Sequence, residues 1–397
     1  MSKYKAWVQD EVSSISNLKI GEMETPAVGE NEILVKCEAS TLNYADLLLS
    51  SGLYQSNPEP PFVPGFEVAG TVLESNEESE FKKGDRIVAA TTVFRSGRYG
   101  SFGEVCITSE NLTYKIPENI SFDVAAAILM SYLTSDFALH RRAGIKEGDF
   151  VLVNAAAGGV GLAAVQLAQL AGARVIAAVG SEEKKELVQK YNPELVINYR
   201  EENLKEVIEE NYGKRPIDIF YDPVGGEPYE QGIRLLGSEG KALIVGFASG
   251  NIPSQLLSYV LVKNISIIGV FMIDFEFTGG EYLKERMSLL FDLYNEKEKM
   301  FFSFDLKNNV QIKIPSLTNF FILFADLNHE NVNTKIIKNL EDFNVNEKYF
   351  FTTIKPDHNS FEEKRYWRGP VWINTCLLYT SDAADEGLGV DLGGRRI

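Results

Sequence analysis

Apolar and polar positions divide the chain into stretches of different rhythm. Up to about residue 125, apolar runs of strand length (Ile33–Ala39, Val68–Leu73, Arg86–Ala90, Val105–Thr108) are separated by turns of Gly, Pro and Asn. That pattern predicts a mainly β domain. Within it, Pro60-Pro61-Phe62-Val63-Pro64-Gly65 predicts a stiff extended loop, because proline fixes φ and disfavours helix before it. From about 126 to 272 the rhythm changes. Apolar runs at Phe150–Asn154, Arg174–Val179, Leu195–Asn198, Ile217–Asp222, Lys241–Gly246 and Asn264–Val270 alternate with segments of helix length. This alternation predicts a parallel, doubly wound sheet with right-handed crossovers.

The most informative junction in that second stretch is Val151-Leu152-Val153-Asn154-Ala155-Ala156-Ala157-Gly158-Gly159-Val160-Gly161, which runs into the apolar segment Leu162–Ala171. A strand, a turn of small residues and a helix start suit a nucleotide pyrophosphate. Small residues let the backbone approach the phosphates, and the helix start offers unpaired N–H groups at a positive dipole end. The spacing reads Ala156-x-Gly158-x-x-Gly161, with alanine in the first glycine's place. Gly172 at the helix end and a second strand at Arg174–Val179 supply the context the motif requires. An ordinary tight turn in an α/β domain is the other reading of these residues.

Composition narrows the function classes. With 397 residues, 45% of them apolar, the chain has material for one large or two ordinary cores. A net charge of −17 and a pI near 4.8 argue against a nucleic-acid or anionic-membrane partner. Cys37, Cys106 and Cys376 are far apart and odd in number, so neither a disulfide framework nor a zinc ribbon is indicated. Cys37 and Cys106 lie in strand-like runs and read as core residues. The start of the chain shows no apolar leader, and the apolar stretch Val124–Leu139 is interrupted by Ser131, Thr134, Ser135 and Asp136. The expectation is a cytoplasmic protein without a membrane span.

Five further strings carry a resemblance: Leu42-Asn43-Tyr44-Ala45-Asp46, Pro64-Gly65-Phe66-Glu67-Val68-Ala69-Gly70, Gly84-Asp85-Arg86-Ile87, Ser101-Phe102-Gly103-Glu104 and Ile197-Asn198-Tyr199-Arg200. With the nucleotide loop, they make residues 1 to about 271 resemble the zinc-independent quinone oxidoreductases of the medium-chain dehydrogenase/reductase superfamily. The resemblance implies a partly open β-barrel (GroES-like) catalytic domain over 1–125 and a Rossmann dinucleotide-binding domain over 126–272. It implies hydride transfer from NADPH to a quinone or an α,β-unsaturated carbonyl, the cofactor carrying the chemistry while the protein aligns and desolvates it. Where zinc-dependent relatives carry a ligand His and Cys, this chain has Phe66 and Asn43. Its three histidines, His140, His329 and His358, do not supply a replacement set.

By the same resemblance Ala156, Gly158, Gly159, Val160 and Gly161 cradle the pyrophosphate, and Ser181, Lys184 and Tyr199 contact a 2′-phosphate. The second strand ends in Val179-Gly180-Ser181 rather than an acidic residue, which leaves room for that phosphate. Lys184 also reads as a solvated helix-face charge, and Glu182 as a ribose ligand. Thr134, Gly246 and Phe247 are placed by the resemblance near the nicotinamide. Asn43 and Asp46 are placed near the substrate, where Asn43 would donate to a developing oxyanion; both also suit turn and cap chemistry. Tyr54 is a candidate wall of the cleft or a core residue. Leu48 and Ser50 stand where some relatives have Tyr and Arg. No general acid stands out, and water is a candidate proton source. The strand Asn264–Val270 resembles the edge that pairs subunits in relatives, so a homodimer is the expectation.

After about Met272 the family pattern is expected to stop, leaving the first domain without its returning segment. Exposed apolar faces, at about 25 cal/mol per Å², would then rival the whole folding stability and make the chain unstable. The chain turns instead to Tyr282-Leu283-Lys284-Glu285-Arg286-Met287-Ser288-Leu289-Leu290-Phe291 and later to Tyr366-Trp367-Arg368-Gly369-Pro370-Val371-Trp372. The second string makes roughly 281–375 resemble a helical fragment of an (α/α)-barrel glycoside hydrolase of the processing α-glucosidase kind, so 273–375 is expected to form that fragment. The two carboxylates that inverting hydrolysis needs, about 6.5–9.5 Å apart, are not assignable there. Cys376-Leu377-Leu378-Tyr379-Thr380-Ser381-Asp382-Ala383-Ala384-Asp385-Glu386 resembles translated sequencing adapter, so 376–397 is expected to be a disordered tail and the reading frame a chimera. A non-catalytic NADPH-binding remnant and a carbohydrate-active fusion are the competing functional readings.

Overall fold

The computed structural model describes residues 3–277 and 280–296, with the backbone of two short strands, Phe304–Asp305 and Val310–Gln311. The contacts divide the chain into two units.

The first unit holds residues up to Met130 and resumes at Asp274. Strands β1 (Lys3–Val8) and β2 (Lys19–Glu24) form an antiparallel pair. Strand β3 (Glu32–Ala39) leads to a short helix, α1 (Tyr44–Ser50), then β4 (Glu67–Ser75), β5 (Arg86–Thr91) and β6 (Val105–Lys115). Pairing runs β3–β4, β4–β5, β5–β6 and back from β6 to β3, all antiparallel. The circuit is thus a β-barrel, closed through these four strands. Alternate residues of the strands fill it: Ile33, Val35 and Cys37 from β3, Val68 and Val72 from β4, Ile87 and Ala89 from β5, Cys106 from β6 and Phe81 from a loop. Period-two side chains of a closed circuit must share one interior, which is why both cysteines are buried core residues there.

Helix α2 (Phe122–Ile128) opens a helical run that continues through π-helical turns at Leu129–Leu133 and Phe137–Ala143, with the short helix α3 (Thr134–Asp136) between them. By length and composition the run Phe122–Ala143 is apolar enough to cross a membrane, which the interrupting polar residues did not suggest. Some 72% of its apolar window is buried in the protein, the environment of a core helix.

The second unit begins at Ser131. It carries β7 (Phe150–Val153), α4 (Gly159–Leu170), β8 (Arg174–Val179), α5 (Glu182–Gln189), β9 (Leu195–Asn198), α6 (Leu204–Tyr212), β10 (Ile217–Asp222), α7 (Gly226–Ile233), β11 (Leu236–Ile244), α8 (Leu257–Lys263) and β12 (Ser266–Gly269). The sheet order is β12-β11-β10-β7-β8-β9, every pairing parallel. This is the doubly wound order, with its direction reversing between β7 and β10. Leu152, Ile176, Ile197, Phe220 and Ala242 from five strands pack with Leu204, Ile208, Tyr229 and Ile233 from α6 and α7.

Helix α9 (Gly280–Glu296) belongs to the first unit and packs on β6. Leu283, Met287, Leu290 and Phe291 are buried; their spacing of four, three and one puts them on one helical stripe. Burying each contributes about 1.5–3 kcal/mol. Lys284 pairs with Glu80 at the edge of this contact. The chain therefore returns to the first unit after residue 272, where the sequence reading has it depart. Apart from α9 and the two short strands, the glycosidase-like stretch lies outside the described residues, as does the adapter-like tail.

Candidate functional site

Two sets of chemically competent residues stand out, one in each unit. In the second unit they gather at the carboxyl ends of the strands. Ala155, just beyond β7, takes φ of 47° and turns the chain sharply; its carbonyl accepts from the Gly158 N–H at 2.8 Å, and the Ala156 N–H donates to Ala178 O at 3.1 Å. Gly158 caps α4 in extended conformation, and Gly159, Val160 and Gly161 form its first turn. A Cβ on Gly161 would sit 2.1 Å from Ala155 O, so only glycine lets α4 come this close to β7. The result is a helix start held against a strand end by small residues, the cradle that a pyrophosphate requires.

Around it, Ser135 on α3 donates its one hydroxyl hydrogen to Val160 O at 2.9 Å and accepts from the Tyr221 hydroxyl at 2.9 Å, pinning the first turn of α4. Thr134 beside it is half-buried. Ser181 caps α5, its Oγ accepting from the Lys184 N–H at 3.3 Å. The Lys184 side chain is buried, not a solvated helix-face charge. Tyr199 follows β9, half-buried, its N–H bonded to Val179 O at 3.1 Å. Gly246 and the exposed Phe247 lie just past β11. At the sheet's reversal point Asp222 is fully buried and accepts from Asn154 Nδ2 at 2.9 Å and the Gly225 N–H at 2.9 Å. Burial raises its carboxyl to about 6 against these bonds. Asn154 Oδ1, buried at the same point, has no hydrogen-bond partner among the described residues.

In the first unit Asn43 and Asp46 gather around Glu67, a residue the sequence shows only as part of a motif, and Tyr54 lies beside Asp46 and Phe66. Asp46, three residues into α1, accepts from the Asn43 N–H at 2.7 Å and the Gly65 N–H at 3.1 Å. Glu67, 1% exposed, accepts from Asn43 Nδ2 at 2.8 Å and Thr41 Oγ1 on one oxygen and from the Met130 N–H at 2.8 Å on the other. Asn43 Nδ2 also donates to Thr41 Oγ1 at 3.2 Å. Both amide hydrogens of Asn43 are therefore turned inward, toward a buried carboxylate that needs donors, rather than outward to an oxyanion as expected. Burial raises Glu67 to about 7, opposed by its three hydrogen bonds, and holds Asp46 well above the usual carboxylate range, helped by the charge of Glu67. The Tyr54 ring meets Phe66 edge-on, centroids 5.0 Å apart, and burial with the nearby Asp46 charge lifts its hydroxyl to about 12. Phe66 is buried, and among the described residues no group of three or more His, Cys, Asp or Glu side chains is placed to hold a metal ion.

Comparison with known proteins places this architecture. Residues 29–118 match the family described as alcohol dehydrogenase GroES-like domain, and residues 159–290 that described as zinc-binding dehydrogenase. The rat quinone oxidoreductase-like protein 2 is 38% identical over 256 residues, 64% of this chain and 71% of the relative. The chain belongs to the quinone oxidoreductase family. Human quinone oxidoreductase is 32% identical over 250 residues, 63% of this chain and 74% of the relative. The solved quinone oxidoreductase of Escherichia coli, complexed with NADPH, aligns with a TM-score of 0.66 at 30% identity, covering 74% of this chain and 88% of that one. The family match continues past Met272 to residue 290, in line with the packing of α9. A separate match, to a mannosylglycerate hydrolase MGH1-like glycoside hydrolase domain, covers 283–387, overlapping it at 283–290 and agreeing with the glycosidase resemblance beyond.

Proposed function

We propose that the chain is an NADPH-dependent, zinc-independent reductase of quinones or α,β-unsaturated carbonyls. The observation that carries the reading is the Gly161–Ala155 cradle at the start of α4, on a chain of this family. Bound there, the cofactor would supply a hydride to an electrophilic carbon. Ala156, Gly158, Gly159, Val160 and Gly161 would hold its pyrophosphate, with Ser181, Lys184 and Tyr199 disposed along the ends of β8 and β9 for the 2′-phosphate. Thr134, Gly246 and Phe247 are the candidates for the nicotinamide end. Zinc independence is supported by the donor set. Phe66 offers no lone pair, and the Asn43 amide is spent on Glu67 and Thr41. A delocalised product anion needs no metal, which suits quinones and enones. Asp46 fixes the turn that presents Asn43, and Tyr54 supplies an aromatic wall.

The second unit also supports a homodimer. Strand β12 is an edge of the sheet, and the adjoining α8 exposes Leu257, Leu261 and Val262 at 83%, 79% and 78%. An apolar face of that kind beside an unpaired edge suits a second copy.

Titration of the purified chain with NADPH, followed by turnover with a naphthoquinone, tests the reading. Binding with steady oxidation supports it. Tight binding without turnover marks a non-catalytic nucleotide-binding remnant. Absence of binding overturns both.

A further inference from the structure

Hydride addition to a carbonyl-conjugated carbon leaves the substrate oxygen negative and in need of a proton. On the reductase reading, on which this inference rests, no general acid is yet assigned. Glu67, Asn43 and Asp46 are sealed at 1%, 4% and 0% exposure, whereas Thr41 is half-buried. Thr41 is the member of the cluster that reaches the surface. The hydrogen bonds decide where an added proton goes. Glu67 Oε2 already accepts from the Met130 N–H and remains an acceptor. Oε1 faces Asn43 Nδ2 and Thr41 Oγ1. Only Thr41 Oγ1 can accept a proton held there, because Asn43 presents a donor.

We propose that Glu67 is the proton store of the reaction and that the Thr41 hydroxyl passes its proton to the substrate oxygen. With Glu67 protonated, its O–H points at Thr41 Oγ1 and releases the threonine hydrogen to turn outward. In the transfer, the Thr41 O–H breaks as the substrate O–H forms, and the Glu67 O–H breaks as the Thr41 O–H is restored. The two electrons arrive with the hydride of the reduced nicotinamide. Glu67 is left as a carboxylate and regains its proton from solvent by the same hydroxyl after product leaves. Burial, which lifts the Glu67 carboxyl to about 7, keeps the acid form populated near neutrality. Among the described residues, the ionisable neighbour coupled to Glu67 is Asp46 on α1, which in turn faces Tyr54. The loop before α1 presents Thr41 and Asn43, and the helical run presents the Met130 N–H, all uncharged.

The test uses the full chain, NADPH and two probes, a naphthoquinone and cyclohexenone, with kcat measured across pH. The wild-type kcat falls as pH rises through about 7. Thr41→Val lowers kcat at least about tenfold, leaves the KM for NADPH unchanged and flattens the pH profile. Thr41→Ser restores rate and profile together, which a merely structural threonine would not require. A second readout is independent of turnover. The cofactor-free protein shows an infrared carbonyl band of a buried carboxylic acid that titrates away near pH 7, persists in Thr41→Val and is missing from Glu67→Gln. A wild-type pH profile in Thr41→Val, or the same band in Glu67→Gln, overturns the relay while leaving the reductase reading intact. A wild type that turns over neither probe overturns the reductase reading and the relay with it.

Discussion

Glu67→Gln removes a buried charge while keeping the shape of the side chain, and the consequence for stability can be worked from the site. Burial raises the Glu67 carboxyl from 4.5 to about 7 in the folded protein. The native state therefore binds this proton more tightly than the unfolded chain. Its contribution is fully present below about pH 4.5 and is lost as pH rises through about 7. The gap is worth about 3 kcal/mol, of which about 2 kcal/mol is lost between roughly pH 5.5 and 8.5. Glutamine carries no charge at any of these pH values. Its oxygen accepts from the Met130 N–H, its amide donates to Thr41 Oγ1, and Asn43 satisfies it by turning its own amide over. The variant therefore gains about 2 kcal/mol on wild type across that window, a large share of a total of about 5–15 kcal/mol. Asp222, raised to about 6, bends both curves alike and cancels in the difference. Urea unfolding at a series of pH values, with hydrogen exchange at the β4 amides to read the barrel by itself, measures it. Parallel wild-type and variant curves from pH 5.5 to 8.5 would refute the buried-charge argument.

Three more outcomes follow from the geometry. Gly161→Ala puts a methyl 2.1 Å from Ala155 O, so the start of α4 must move by about 1 Å or more; a loss of about 1–3 kcal/mol in stability and at least tenfold in NADPH affinity is expected by thermal unfolding and fluorescence titration. Lys184→Ala weakens NADPH binding about tenfold or more while leaving NADH binding within about twofold; equal losses for both nucleotides would remove Lys184 from the 2′-phosphate site. Leu261→Asp places a charge on the exposed apolar face of α8 and shifts sedimentation from dimer to monomer; an unchanged dimer would send the interface elsewhere.

The second unit is the more legible in sequence because each element announces itself locally. Arg174–Val179, Leu195–Asn198 and Ile217–Asp222 are compact apolar runs buried on both faces of a parallel sheet, and the structure bounds these strands at the same residues. The fifth strand begins earlier than its apolar run suggests, at Leu236, because Leu236 already pairs with Ile217. The chain then bulges through Glu239, at φ of 64°, before the ladder resumes at Lys241, and Gly237, Ser238, Glu239 and Gly240 carry no period-two pattern. Helix α9 shows how a local reading can misplace a boundary. Its string Tyr282–Phe291 carries none of the short family motifs, although the family match runs to residue 290, and the stripe Leu283, Met287, Leu290 and Phe291 that docks it on the barrel is ordinary helix periodicity.

The first unit's cluster was harder to see for a different reason. Glu67 reads as one acid at the start of a strand, and a lone Glu within Gly65-Phe66-Glu67-Val68-Ala69-Gly70 is the available signal, since glutamate is rarely placed among small and apolar residues without partners. Its partners lie 24, 26 and 63 residues away. They are an amide, a hydroxyl and a backbone N–H, none of which advertises a carboxylate neighbour. Burial is set by the sum of these distant segments, and burial is what moves the proton affinity toward neutrality. The charge state of Glu67, and with it the direction in which Asn43 and Thr41 point, therefore follows from the closed barrel rather than from any local motif.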